Sequence, residues 1–243
     1  TGLYKSYRGC KEGRNGLMSS LGTDETQQGN FQLISSGDQA GMDKYNGQLN
    51  PTSTQVKAIW DNRWPAVTSA AKAIYALKRT TPSAKATQLM GEASFMRGML
   101  MYELTMYWGR IPIIDMDRTQ ELGGGPQPEK DVWEYILSDF QEAVNDLPNS
   151  YDNEPQRATK GAALTMLGRA YMSAPESTGL RDYEKADECF KQVMSMGYEL
   201  VDDYADLWRY DNPNTKESIF ELQFDCKWPD CNYWEFDMGS RAC

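Results

Sequence analysis

From Thr54 to Gly197 apolar residues recur at three- and four-residue steps, the spacing that lines one face of a helix, and no other feature constrains the fold as tightly. Val56, Ile59, Trp60, Val67, Ala71, Ile74 and Leu77 mark the first stripe. Pro65 lies inside it and is expected to kink or split the helix, because proline removes a backbone donor and crowds the preceding turn. Ser83 is placed to cap a second helix whose stripe runs Leu89, Ala93, Met96, Met99 or Leu100, Glu103 and Met106, with Gly109 as its stop. A short extended run, Ile111-Pro112-Ile113-Ile114, and the turn signal Gly123-Gly124-Gly125-Pro126-Gln127-Pro128 follow. Val132, Ile136, Phe140, Ala143 and Leu147 then predict a third helix ending near Pro148. Thr159 opens a fourth through Ala163, Leu167, Ala170 and Tyr171, and a fifth carries Tyr183, Ala186, Phe190 and Val193.

The flanks read differently. Residues 1–53 are rich in Gly, Ser, Asn and Gln with scattered aromatics, which predicts long irregular loops after an opening helix. Near the other end, Ser218 to Phe224 alternates Phe220, Leu222 and Phe224 with Glu221 and Gln223, the pattern of a half-buried strand. The expected fold is mainly α, built of helix pairs with long loops and a short β element near the C-terminal end. Its expected organisation is one domain: a loop-rich segment 1–53, a helical scaffold 54–215, and a strand with an aromatic loop in 216–243.

Composition narrows the function classes. With 25 basic against 35 acidic residues the net charge is −10, which repels phosphate backbones, so nucleic acid is not an expected partner. The chain has no histidine, which removes the commonest general base and metal ligand, and no cofactor is expected. Paired acids such as Asp115 with Asp117, or Asp202 with Asp203, invite a glycosidase reading, but adjacent loop acids read more simply as solvated surface. No run of about 18 apolar residues is present to span a membrane. Cys226 and Cys231 either form a local disulfide or remain thiols; their separation does not suit the usual two-residue zinc spacing.

Two helices approach closely only where one carries a small residue, and a large side chain then fills the crevice beside it. Leu167-Gly168 with Tyr171, followed by Ala186 with Phe190, resembles a TPR unit in this respect, with a longer inter-helix loop from Ala174 to Asp182. More distinctive is Gly91-Glu92-Ala93-Ser94-Phe95-Met96-Arg97-Gly98, followed by Tyr102 and Tyr107-Trp108-Gly109-Arg110-Ile111-Pro112-Ile113-Ile114. Farther on come Arg157-Ala158-Thr159, Ala162-Ala163, Leu167-Gly168-Arg169-Ala170-Tyr171 and Tyr183-Glu184-Lys185-Ala186. Tyr198-Glu199-Leu200, Tyr204-Ala205-Asp206-Leu207-Trp208 and Glu217-Ser218-Ile219-Phe220-Glu221 complete the series. In this order these blocks resemble the SusD/RagB family of nutrient-binding outer-membrane lipoproteins. The chain departs from the family pattern at Pro65 and at Gly168, where alanine is more usual. Against the family it looks truncated at both ends and lacks the lipobox cysteine.

The resemblance implies a SusD-like α-helical superhelix on the extracellular face of the outer membrane, held there only by an N-terminal lipid anchor absent from this chain. It implies capture of an oligosaccharide, or in some branches a peptide, for delivery to a SusC-like TonB-dependent transporter, with no catalysis. A TPR-type protein-interaction scaffold is the alternative from another class. Sugar recognition needs flat aromatic faces and a few polar side chains. Helix aromatics such as Trp60, Phe95, Tyr171 and Phe190 lie on apolar stripes and are expected in the core. Binding is therefore expected from the flanking loops, at Trp228, Tyr233 and Trp234, a cluster that Phe236 extends, in the polar tail. Asp24, Asn30, Phe31 and Tyr45 are the N-terminal candidates; Asp24 belongs to an acidic pair that resembles one the family carries after its first helix. The plainer reading of Asp24 is a turn-forming or helix-capping carboxylate.

Overall fold

Gly91, Gly98, Gly161 and Gly168 recur along two helices of the chain, and in each case a side chain of a neighbouring segment occupies the space where a Cβ would stand. This computed structural model describes residues 2–17, 20–27, 37–114, 116, 124–209, 211–224 and 231–232. The helices are α1 (Gly2–Lys11), α2 (Gly13–Leu17), α3 (Gly37–Lys44), α4 (Thr54–Leu77), α5 (Ala84–Trp108), α6 (Glu129–Asp146), α7 (Lys160–Ser173) and α8 (Tyr183–Met194). Short 3-10 turns follow α7 at Glu176–Thr178 and α8 at Tyr204–Trp208. The chain divides into two compact units, Thr1–Ala66 with Gln223–Cys243, and Val67–Leu222.

Helix ends in the second unit follow local chemistry. Ser83 accepts a hydrogen bond from the Ala86 amide at 3.1 Å and starts α5, and Gly109, at φ 65°, stops it while its N–H donates to the Thr105 carbonyl. Thr159 and Asp182 cap α7 and α8 by accepting from the amides of Ala162 and Lys185. Two helix expectations meet exceptions: α2 and α3 form within the segment 1–53 where loops were expected after the opening helix, and Pro65 does not split α4, which runs from Thr54 to Leu77 with the proline inside it. Ile59, Arg63, Ala66, Val67, Ala70, Ala71 and Ile74 are buried on both sides of the proline, and that burial outweighs one missing backbone bond.

Consecutive helices α5, α6, α7 and α8 pack against one another. In the first pair Ser94 meets Glu142, Arg97 meets Asp139, and Tyr102 meets Trp133, so the partner number falls as the α5 number rises and the two helices are antiparallel. The Phe140 ring fills the notch at Gly98, 2.8 Å from where a Cβ would be. In the second pair the Phe190 ring of α8 does the same at Gly168 of α7, at 2.7 Å. Between the pairs, the hydroxyls of Tyr102 and Ser173 lie 2.8 Å apart.

Helix α5 is not a one-sided stripe. Every residue from Gly91 to Gly98 is buried, whereas Leu89 and Met106, both on the expected stripe, are exposed. A helix packed on several sides shows no single apolar face. Of the helix aromatics expected in the core, Phe95 is fully buried, while Trp60, Tyr171 and Phe190 are only half-buried.

No strand forms among the described residues, so the expected β element at Ser218–Phe224 is absent there. Burial does not alternate along this segment; each residue is half-buried, and the Phe220 ring stands edge-on to Phe95 at 5.2 Å. Alternation needs a sheet with two faces, and this segment lies against a helix instead.

Polar groups are also enclosed. Arg97 donates from Nε and Nη2 to the two oxygens of Asp139 at 2.8 and 2.6 Å, and its guanidinium lies 4.5 Å from the centre of the Tyr135 ring. Burial pushes the Asp139 carboxyl up to about 6 from its usual 3.8, although Arg97 beside it pulls the other way. Arg157 reaches back from the loop before α7 to the Glu92 carboxylate and also pairs with Glu154 at 2.8 Å.

Two outcomes follow for the helical unit. Gly98→Ala should destabilise by about 1–3 kcal/mol in urea unfolding, since Phe140 is fully buried and cannot yield. Gly168→Ala should cost less, because the half-buried Phe190 ring can tilt away; equal losses would contradict this. At Asp139 the folded state holds its proton to higher pH than the unfolded chain, so this group's contribution to stability is complete below about 4 and is lost as pH rises through 6. Comparing unfolding of the wild type and Asp139→Asn across that range should show the wild type losing on the order of 3 kcal/mol relative to the variant.

Candidate functional site

In the first unit, two turns hold the candidates that the structure describes. Thr23 shapes the turn at 20–26: its hydroxyl donates to the Ser20 carbonyl at 2.8 Å and accepts from the amides of Glu25 and Thr26. The Gly22 amide closes the turn by donating to the Thr26 carbonyl. Thr23, rather than Asp24, thus forms the turn, and Asp24 stands exposed at its tip. The turn-forming role considered for the Asp24 carboxylate belongs to its neighbour.

The second turn follows α3. Tyr45 adopts φ 49°, an uncommon left-handed backbone for a tyrosine, and is 68% exposed. Its hydroxyl donates to the Gly22 carbonyl at 3.0 Å, so the ring spans from one turn to the other. Gly22 is required below it: φ is +77°, and a Cβ would stand 2.5 Å from the Met42 carbonyl oxygen and 3.0 Å from the Tyr45 ring. The loop beyond is tied to itself. Asn46 Oδ1 accepts from the Gln48 amide at 2.9 Å, Asn50 Nδ2 donates to the carbonyls of Gly47 and Gln48, and Asn50 Oδ1 accepts from Thr52. Ser53, buried at the start of α4, accepts from Val56. The result is an aromatic ring whose tip is anchored while most of its surface faces solvent.

The structure therefore joins Asp24 and Tyr45 through Gly22. Asn30, Phe31, Trp228, Tyr233 and Trp234 lie outside the described residues, as does Phe236. What the described tail shows is its attachment. Asn232 Oδ1 accepts from the Gly13 amide at 3.0 Å, and Arg8 lies over the Phe224 ring at 5.7 Å. Neither contact has a sequence signal, because each joins positions more than 200 residues apart. Gly22 carried a weak one, a glycine beside a Thr-Asp turn. Cys231 and the buried Cys189 are free thiols, and the buried Cys10 thiol donates to the carbonyls of Ser6 and Asn62 at 3.3 Å. No cluster able to hold a metal ion occurs among the described residues. No described helix is long and apolar enough to cross a membrane.

The anchoring of Tyr45 is testable. Gly22→Ala should cost about 1–3 kcal/mol and loosen the ring, because the backbone conformation is strained for alanine and the Met42 carbonyl blocks its Cβ. Amide hydrogen exchange over residues 20–50 should quicken in that variant; unchanged protection and stability would show that the two turns are not held through this glycine.

Comparison with known proteins supplies the frame for these turns. The family model described as starch-binding and associating with the outer membrane, SusD-like, matches residues 3–172. A SusD-like protein of Bacteroides ovatus is 29% identical over 209 residues, which cover 79% of this chain and 37% of that protein. The crystal structure of a SusD-like protein from Bacteroides fragilis superposes with a TM-score of 0.69 at 27% identity, covering 79% of this chain and 38% of that one. A laminarin-binding SusD-like protein shares the fold at 20% identity, with a TM-score of 0.76 over 90% of this chain and 48% of its own. The chain thus spans less than half the length of each of these proteins. With the family match extending from α1 through α7, this chain belongs to the SusD-like family.

Proposed function

We propose that the protein captures oligosaccharides at the cell surface and passes them to a SusC-like TonB-dependent transporter, acting by binding alone. The observation that carries this reading is the family match over residues 3–172, to a family described as starch-binding and outer-membrane associated. Laminarin binding by a protein of the same fold supports an oligosaccharide ligand. On this reading the protein resides on the extracellular face of the outer membrane, attached through an N-terminal lipid. The helices serve as scaffold, and the ligand meets the loops at Asp24, Asn30, Phe31, Tyr45, Trp228, Tyr233 and Trp234.

Two features of the first unit support that assignment. Tyr45 offers an exposed ring whose hydroxyl is already committed to Gly22, so stacking on a pyranose would cost little side-chain freedom. Asp24, exposed on the adjoining turn, supplies a carboxylate for sugar hydroxyls. The contacts of Asn232 with Gly13 and of Arg8 with Phe224 join the flanks of the two loop regions in one unit.

Titration calorimetry with glucan oligosaccharides tests the proposal. Binding without release of reducing ends is the expected result. Tyr45→Ala, Trp228→Ala or Trp234→Ala should each weaken affinity by about 1–3 kcal/mol where the ring is a stacking platform, the magnitude found for aromatic stacking on bases. Hydrolysis of the oligosaccharide, or affinity for peptides in its place, would overturn the reading.

A further inference from the structure

The sequence contains two Asn-Gly pairs, Asn15-Gly16 and Asn46-Gly47; both asparagines are exposed, but the structure holds their backbones differently. Asn15 sits within α2; its amide donates to the Glu12 carbonyl, its Nδ2 donates to the Gly9 carbonyl at 3.0 Å, and the following glycine is buried. Asn46 and Gly47 are exposed in the turn after Tyr45. The Asn46 carboxamide is folded over the Gly47 peptide, because its Oδ1 accepts from the Gln48 amide at 2.9 Å. Nothing lies within 4 Å of the place a Gly47 Cβ would occupy, and the Gly47 amide nitrogen donates no hydrogen bond among the described residues.

From this contrast we infer that Asn46 is a site of spontaneous deamidation, and that Asn15 is protected. The Gly47 nitrogen gives its proton to solvent and bonds to Cγ of Asn46, closing a five-membered succinimide. The Cγ–Nδ2 bond breaks, and Nδ2 leaves as ammonia after taking up a proton. Water then opens the imide at either carbonyl, leaving aspartate or isoaspartate at position 46. The sum is one water consumed and one ammonia released, with no oxidant or enzyme. Glycine is the permissive partner because it has no side chain to obstruct the approach and adopts the ring's backbone angles freely. A helical backbone holds Asn15 and Gly16 in fixed geometry and occupies the Asn15 carboxamide.

The product matters because of its neighbour. Conversion adds a negative charge, and in the isoaspartate form an extra backbone methylene, directly after Tyr45, in the loop that the Asn46 and Asn50 hydrogen bonds tie together. A fall in ligand affinity with age rests on the proposed function; the modification itself does not.

The full chain is held at neutral to mildly alkaline pH, and aliquots are mapped by peptide mass spectrometry with isoaspartate detection. Deamidated peptide should accumulate at Asn46 while Asn15 in the same sample stays unchanged, and in urea the two sites should converge in rate. Gly47→Ala, which the open space around Gly47 accommodates, should slow conversion at Asn46 several-fold without changing the unfolding midpoint. Equal rates at the two sites in the native chain, or no conversion at Asn46, would overturn the inference. Loss of glucan affinity in step with conversion would tie Tyr45 to the ligand. Conversion with unchanged affinity would leave the modification standing and count against Tyr45 as a ligand residue.

Discussion

The helical unit depends on how closely its backbones approach one another. At Gly98 and Gly168 the absent Cβ is replaced by an aromatic ring from the facing helix, and at Gly161 by the Tyr198 ring from the segment beyond α8. At Gly91 the notch is filled by Leu147 and Asp146 from the end of α6. Each notch brings a large apolar surface against a helix axis, and burying one such aromatic contributes about 1.5–3 kcal/mol. The same geometry explains why α5 is buried over its whole middle: with neighbours on more than one side, it has no face left for solvent.

Within that packing, buried charge sets which residues face each other. The Arg97–Asp139 pair and the Ser94–Glu142 hydrogen bond lie along one seam between α5 and α6 and are satisfied in one antiparallel register only. Sliding α5 by a turn would leave Arg97 and Asp139 without partners in an apolar interior, where an uncompensated charge costs about 3–5 kcal/mol. Burial disfavours both ions; the bidentate contact more than offsets this for Arg97, which stays above its ordinary range, whereas for Asp139 burial still prevails and the carboxyl stays raised. Apolar packing thus decides that the helices associate, and the ion pair decides how they align.

The first unit works by a different principle. Its described turns bury little and are held by their own polar atoms: Thr23 over Ser20, Asn46 and Asn50 over their own loop, Tyr45 across to Gly22. Such polar ties hold the exposed Tyr45 ring in place between the two turns. The candidate site was legible here only by residue type. Asp24 and Tyr45 could be nominated as a loop acid and a loop aromatic, but their link through Gly22 depends on a contact between turns 23 residues apart. No periodicity encodes such a contact.

The sequence by itself determined helices α4 to α8, the caps at Ser83 and Thr159, the stop at Gly109 and the family, because these depend on neighbours within a few residues or on ordered blocks along the chain. It misled where a local rule met long-range packing. Pro65 did not split α4, since the buried residues on both sides hold the helix together. The alternation at Ser218–Phe224 did not make a strand, since Phe220 meets Phe95 of a helix and no sheet forms among the described residues. The pairing of Gly168 with the Phe190 ring was legible in the TPR-like spacing, but only the tertiary structure decided that Phe140 enters the notch at Gly98, that Arg97 pairs with Asp139, and that Asn232 returns to Gly13. The physical reason is common to all three: each is a short-range force between atoms that the chain brings together only after its helices have packed.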